Sequence, residues 1–502
     1  MSGYLGPQPV PQATQHRQTV TATAGLTSIT TSGYQPGYVD VYMNGVKLVD
    51  GTDYTATDGA SITLASAANA NDIIEIIANV PFQLVGMTFT GATTFNGQIN
   101  MPTWTTAGRP SSPQVGTIGY NTTVGALENY TTSGWQKVSV SIPSITGVSG
   151  TIYAGVTSTI TLTGINFGTS TATVTFTSGV TTATATGTPT NGGTSLAVSV
   201  PASIYALSAG ALVTATVTNP DNATSATSSA LTVIGIPTGG TISTSGGNRI
   251  HSFTSSGTLT VPTGFSATSN VLIVAGGGGG GEGGGGAGGL IYSSAVSLTS
   301  GSKTVTVGAG GSGSPDGSAL GTNGSNSVFS DLSSAIGGGK GGAMTQNAGS
   351  SGGSGGGGRR DNAGAGGSGT SGQGNAGGAG AANIWCGAGG GGGAGSSGSN
   401  GTGGGPSTEK GGNGGSGLAY AISGSSVYYA AGGGGGTEGS GGFGAGGTGG
   451  GGRGYSNYDA VQAVSGTSNT GSGGGGRPVT SASGSAGAGG SGVVIISYPL
   501  PT

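Results

Sequence analysis

The chain is short of almost everything that enzymes and nucleic-acid binders are built from. Cys386 is the only cysteine in 502 residues, so no internal disulfide can form and no cysteine-rich metal site exists. Charged residues make up 5% of the chain, with 12 Lys+Arg against 15 Asp+Glu and a net charge of −3. That excludes a dense basic surface able to neutralise phosphates, and with it nucleic-acid binding. Disorder driven by charge repulsion is excluded too, because hydrophobic residues reach 33%. No apolar run approaches the roughly 18 residues of a membrane span, so no membrane insertion is expected. The N-terminus Met1-Ser-Gly-Tyr-Leu-Gly-Pro-Gln-Pro has no apolar core of a secretory signal. The two histidines, His16 and His251, have no metal-ligand or triad companion at a recognisable spacing. His251 reads as a strand residue rather than a base.

What is present is glycine, 119 of them, together with the Ser, Thr, Val and Ala of short strands and turns. The glycines concentrate between two apolar brackets, Val271-Leu-Ile-Val-Ala275 and Val493-Val-Ile-Ile-Ser497. Ahead of this tract lie smaller β units. Residues 1–18 are Pro- and Gln-rich and read as an extended docking arm. Residues 19–85 form a small β-domain with a hairpin turn at Asn44-Gly45. Tyr34-Gln-Pro-Gly-Tyr-Val-Asp-Val-Tyr-Met-Asn-Gly-Val-Lys-Leu followed by Asp53-Tyr-Thr-Ala-Thr57 resembles a module near the N-termini of tail-fibre proteins of marine bacteriophages.

Residues 86–140 carry pieces too small to bury a core alone, such as Thr88–Phe95, which suggests chains wound together. A three-strand meander is predicted over Gly116–Thr122, Ala126–Tyr130 and Gly134–Val138. Its Arg109-Pro-Ser-Ser-Pro113, Tyr120-Asn-Thr-Thr123 and Gly134-Trp135 are similar to a block of phage tail fibres, which implies a homotrimer. Trp135 is weighed as a ligand platform and read as a core or interface residue.

Residues 141–235 alternate in Ser158–Thr163, Ala172–Phe176, Ser195–Val200, Leu212–Thr218 and Ala230–Ile234 at sandwich-like spacing. Ile160-Thr-Leu-Thr-Gly-Ile-Asn-Phe-Gly168 with Val217-Thr-Asn-Pro-Asp-Asn222 resembles the immunoglobulin-like IPT/TIG domain, which implies a spacer. Here Tyr153-Ala-Gly155 stands where that family has Gly-Gly.

Residues 236–502 are the glycine domain. Each ordered glycine costs about 0.5–1 kcal/mol more entropy than alanine, so a flexible linker is the plainer reading of such a tract. Its length and its two brackets, which would lie in one sheet, argue instead for a built object. Extended left-handed helices of about three residues per turn would satisfy one another's backbone groups. Gly276–Gly281, Gly355–Gly358, Gly389–Gly393 and Gly432–Gly436 would be rods, and the mixed islands between them turns. Collagen is excluded by the 19 prolines and the absence of a strict triplet. Val271–Gly281, Lys303–Gly311, Asn323–Phe329, Ile422–Val427 and Gly489–Tyr498 look like the glycine-rich domain of phage tail fibres. The style is similar to that of phage tip adhesins with polyglycine-II helices, whose loops at one end of the bundle contact the host.

That resemblance implies an all-β, elongated multidomain fibre: small β-domains, an Ig-like IPT/TIG sandwich and a β-framed polyglycine-II bundle. It implies a virion protein assembled in the host cytoplasm. Its partners would be tail or adaptor proteins at the N-terminus and an outer-membrane protein or surface glycan at the tip. No cofactor is expected. Recognition would fall to the islands: Arg359, Arg360, Asp361, Asn383, Trp385, Glu409, Lys410, Arg453, Tyr455, Tyr458, Asp459 and Arg477. Aromatic and Arg side chains give rigid contact area and forked donors. The competing reading is that some of these only cap the bundle, and Tyr428 and Tyr429 are read as structural. Glycine patterns resembling a dinucleotide fingerprint carry no weight without a strand–helix unit. Lys340 is followed by Gly341 where a phosphate-binding loop needs Ser or Thr. Glu282, Glu409 and Glu438 have no spacing that would bring them together for glycan cleavage, so no enzyme activity is expected. The rival readings are a tailspike depolymerase and a cellular surface adhesin.

Overall fold

The computed structural model describes residues 13–81, 98–138, 141–220, 223–330, 332–382, 385–405, 407–456, 458, 461–479 and 484–500. Residues 1–12 of the expected arm and the Thr88–Phe95 stretch lie outside them. The chain is all-β and multidomain; among the described residues the one α-helix is the four-residue Ala202–Tyr205. Among the described residues no helix is long and apolar enough to cross a membrane. The chain divides at residues 137/138 into two units.

In the first unit, the alternating strands of residues 13–81 build two small sheets around one core. The order is Ala13–Thr21, Ile73–Pro81, Val39–Met43, Val46–Lys47 in one sheet and Leu26–Thr30, Ser61–Ala68, Tyr54–Thr55 in the other. Val41, Tyr54, Ile62, Leu64, Ile74 and Ile76 fill the space between. The expectation of a docking arm is corrected for residues 13–18. Residues 13–18 begin a nine-residue strand paired antiparallel with Ile73–Pro81, whose unpaired backbone edge they satisfy. The Asn44-Gly45 hairpin is present, with Asn44 at φ 47° and Gly45 at 85°.

Residues 98–138 form the predicted meander with a fourth strand added: Gly134–Lys137, Ala126–Thr131, Ile118–Asn121, Thr103–Trp104. Its organising group is a carboxylate. Glu128, 3% exposed, accepts hydrogen bonds from Arg109 Nη2 at 2.6 Å, Asn121 Nδ2 at 2.9 Å, Arg109 Nε at 3.0 Å and Trp104 Nε1 at 3.3 Å. Arg109, with help from Asn121 and Trp104, holds this carboxyl down at about 2 against the opposing effect of burial. Trp135, half-buried, packs edge-on against Trp104 and Tyr130 at 4.9 and 5.3 Å between ring centres.

The second unit begins with the sandwich. All five predicted strands are found, with Ser144–Ser149, Ile152–Tyr153 and Thr181–Gly187 added at sheet edges. Ile160, Leu162, Phe167, Val174, Phe176, Leu196 and Val217 are fully buried between the sheets. The sandwich belongs to the same compact unit as the glycine domain. Tyr153 and Ile234 pack into the core of the glycine domain, with the Tyr153 ring edge-on to Phe265 at 6.0 Å.

The glycine domain is framed by a five-stranded sheet in the order Thr241–Ser245, Asn248–Phe253, Val493–Pro499, Ala267–Val274, Leu290–Leu298. The two brackets pair as expected, Val271 opposite Ile496 and Val274 opposite Val493. Val493-Val-Ile-Ile is a continuous apolar run because both faces are covered. Val494 and Ile496 face a core with Phe253, Phe265 and Phe329, while Val493 and Ile495 face Leu272, Leu290 and Tyr429. His251, fully buried in Asn248–Phe253, bonds Gly239 O through Nδ1 at 2.7 Å and the Tyr498 hydroxyl through Nε2 at 3.0 Å.

Between the brackets the glycines form the expected rods, with a threefold hydrogen-bond rhythm. Residues 283, 286 and 289 donate to the carbonyls of 342, 339 and 336; residues 284 and 287 donate to 389 and 392; residues 285 and 288 donate to 474 and 471. In each direction the acceptor moves by three residues as the donor does, the signature of about three residues per turn. The same rod accepts from Gly278 and Gly281, from Ser354 and Gly357, and from Gly433, while Gly436 donates to Glu282 at the turn before it. Rod 283–289 is therefore enclosed on all sides, three neighbours accepting and three donating. A Cβ on Gly283, Gly284, Gly285 or Gly286 would run into a neighbouring backbone carbonyl, so only glycine allows this approach. The hydrogen bonds left unmade inside each rod are made between rods, which offsets the entropy that glycine loses.

Candidate distal face

The chain leaves the sheet at Val274, runs outward as rod 276–281, turns at Glu282 and returns to the sheet at Leu290. Later passes repeat this outward and return course, so alternate turns fall at the two ends of the bundle. The described residues of the predicted recognition islands belong to the end remote from the sheet. Backbone bonds link them there: Glu282 O accepts from Gly436, Gly281 O from Arg477, Tyr455 O from Thr437, and Gly476 O from Tyr455. The bridges Gly387–Thr437, Cys386–Gly403, Thr402–Lys410 and Thr437–Ser456 complete the closure.

Four of the predicted contact residues are corrected by their burial. Arg360, Glu409, Tyr455 and Arg477 are 3%, 0%, 5% and 3% exposed and present no face to a receptor. Arg360 and Glu409 belong to a buried charge cluster that closes the rod ends. Glu282 Oε1 accepts from Arg359 Nε at 3.1 Å, and its Oε2 lies 3.3 Å from Arg360 Nε. Arg360 Nη2 bonds Glu438, and Asp361 faces both arginines at 3.6 and 3.7 Å. Arg359 Nη1 also reaches Asn347 Oδ1 at 3.2 Å. The expectation that Glu282, Glu409 and Glu438 stay apart is thus overturned. The threefold rhythm brings their rods side by side, which no spacing in the sequence reveals.

The cluster is short of hydrogen bonds for its charge. Glu282 Oε2 and both Glu409 oxygens are buried with none. Burial pushes the Glu282 carboxyl up to about 7 although Arg360 and Arg359 pull the other way. Burial also raises Glu409, Arg360 opposing and Glu438 assisting. Cys386 sits at the edge, its Sγ accepting from the Asp361 amide at 3.0 Å and facing Asp361 Oδ1 at 3.3 Å. Burial lifts its thiol to about 11, an inert state for a cysteine. Among the described residues no group of three His, Cys, Asp or Glu is arranged to hold a metal.

Over this clasp lies an exposed layer. Tyr458 is 72% and Trp385 46% exposed, and Lys410 and Arg453 are exposed as well. The Arg453 guanidinium lies 5.8 Å from the centre of the Phe443 ring. Arg359 and Asp361 are half-buried between clasp and surface. Asn383 and Asp459 lie outside the described residues. Met344, 50% exposed on the outer turn 343–346, joins this layer and escaped the sequence reading, which looked for charge and aromaticity.

Residues 252–499 match the model of a family described as a glycine-rich domain. No curated protein matches the chain. Among solved structures, SGBP-B from a complex xyloglucan utilization locus in Bacteroides uniformis is 16% identical, over 53% of this chain and 74% of its own, with a TM-score of 0.16. The FN1–FN3 domains of chicken CNTN1 are 8% identical, over 57% of this chain and 90% of theirs, with a TM-score of 0.16. Scores this low carry no inference about the site.

Proposed function

We propose that the chain is a bacteriophage tail fibre that holds the virion to the host cell through the distal face of its glycine domain. The observation that carries this reading is the division of labour at that face. Buried Glu282 and Arg360, with half-buried Arg359 and Glu438, clasp the rod ends, and Trp385, Lys410, Arg453 and Tyr458 are exposed at the same end. Rigid aromatic and cationic side chains on a hydrogen-bonded scaffold suit adhesion. The wording of residues 34–57 and 109–135 supports the phage assignment, with the N-terminal region attaching to the tail and three copies wound into one fibre. Several weak contacts on one particle then give avidity without a strong individual site. The receptor is an outer-membrane protein or a surface glycan.

Adhesion is favoured over glycan cleavage because Glu282 and Glu409 have no exposed surface, whereas a glycosidase needs its carboxylates open to the sugar. Exchange of residues 343–480 with those of another glycine-rich fibre tests the reading. Host range is expected to follow the exchanged segment; host range that stays with the recipient would overturn it. A double variant Trp385→Ala, Tyr458→Ala should lose adsorption with unchanged thermal stability.

A further inference from the structure

A pair of hollows lies at the opposite end of the bundle, beside the framing sheet. Tyr292, on the edge strand Leu290–Leu298, stacks on Tyr420, at the end of strand Leu418–Tyr420, with 4.8 Å between ring centres and 26° between planes. The hairpin that carries Tyr420 is anchored on the framing sheet. Its Tyr429 is buried in the core against Leu272 and Leu290, and a Cβ at its turn residue Gly424 would stand 2.9 Å from Ser245 Cβ. The ring pair divides two hollows, and both rings line both. One of about 340 Å³ is walled by Ser245, Asn248, Asn270 and Ser497; the other, of about 360 Å³, by Gln373 and Asn375.

The walls are preformed. Gln373 Oε1 accepts from the Ile336 amide at 2.8 Å and its Nε2 donates to Ser334 O at 3.0 Å. Asn375 Nδ2 donates to Gly393 O at 2.8 Å and Ala394 O at 3.0 Å. By contrast Asn248, Asn270 and the two tyrosine hydroxyls make no side-chain hydrogen bond among the described residues. Asn270 is exposed, and Tyr292 is 40% exposed. Among the described residues no charged one lines either hollow.

We infer that this double hollow is a binding groove for a neutral oligosaccharide laid across the Tyr292–Tyr420 pair. Sugar rings offer apolar C–H faces to aromatic rings and hydroxyls to amides. A pocket in the size range of small-ligand sites, with aromatic walls and a few placed polar groups, fits such a ligand. The lack of a cation argues against phosphorylated or acidic glycans, which call for Arg or Lys. Two hollows on either side of one ring pair call for a chain of at least two sugar units rather than a monosaccharide. The groove stands apart from the distal face and would act as a separate contact.

The test uses the full chain on a printed array of neutral and acidic glycans, followed by titration of the bound neutral oligosaccharides. Binding of neutral members is expected, with at least a tenfold loss in Tyr420→Ala and in Asn270→Ala. Because Tyr420 also packs on the core, Asn270→Ala and Asn248→Ala, at positions without internal bonds, separate binding from folding. Host adsorption measured on the same Asn270→Ala chain reports the distal face separately, which distinguishes failure of the groove from failure of the distal-face reading. An array with no neutral glycan bound, preference for acidic members, or binding indifferent to Tyr292→Ala, Tyr420→Ala and Asn270→Ala would overturn the groove.

Discussion

Arg360 Nε lies 3.3 Å from Glu282 Oε2, and the two residues come from turns of different rods that only the folded bundle brings together. Both side chains are almost wholly withdrawn from water. A charge in that position is tolerable only while its partners remain.

Arg360→Ala should therefore destabilise the glycine domain by about 3–5 kcal/mol, the range for breaking one partner of a buried pair. Thermal unfolding of the full chain measures it. A change under about 1 kcal/mol would mean that the cluster is more hydrated than its burial implies. Arg453→Ala, on the exposed layer, should stay within about 0.5 kcal/mol.

Acidity should tighten the same clasp. Burial first of all raises the Glu282 carboxyl to about 7 and raises Glu409 as well, so the folded state binds these protons more firmly than the unfolded chain does. The resulting stability is fully present below the ordinary carboxyl value of about 4.5 and is lost as pH climbs through about 7. Glu409→Gln mimics the protonated acid. It is expected to match or exceed the parent in midpoint temperature at pH 8 and to flatten the decline between pH 5 and 8. A steeper decline in the variant would refute this account.

Gly285→Ala should be disruptive, because its Cβ would meet the Gly278 carbonyl, a backbone group that cannot rotate away. A cost of about 1–3 kcal/mol or more is expected. Gly257→Ala is the control. There the Cβ would sit 3.4 Å from the Phe253 ring, at ordinary contact, and the cost should remain below about 1 kcal/mol. Equal effects at both positions, read by chemical denaturation, would count against glycine being required by close approach.

Much of this fold was legible in the sequence. The alternation of Leu212–Thr218 or Ala172–Phe176 announces strands, and two apolar brackets around a polar tract announce neighbours in a sheet. The rods were legible as glycine runs, and the islands as turns. Which rod lies beside which was not, because a glycine presents the same surface in every direction. The grouping of Glu282 with Arg359, Arg360, Glu409 and Glu438 depends wholly on that arrangement, and so does the burial of Tyr455 and Arg477. Composition marked those residues as distinctive without saying whether they faced water. Tyr292 and Tyr420 were hidden for a related reason. Each sits in an ordinary strand pattern, and only their pairing across 4.8 Å gives them meaning.

The strands that begin and end the tract lie zipped together, Val274 opposite Val493, and each outward pass is followed by a return. Rods can therefore be gained or lost in pairs, and whole sets of outer turns exchanged by recombination, without moving the chain ends. A protein built this way keeps one fixed handle and an interchangeable cassette, and its variability should be confined to the end that the handle holds away from itself.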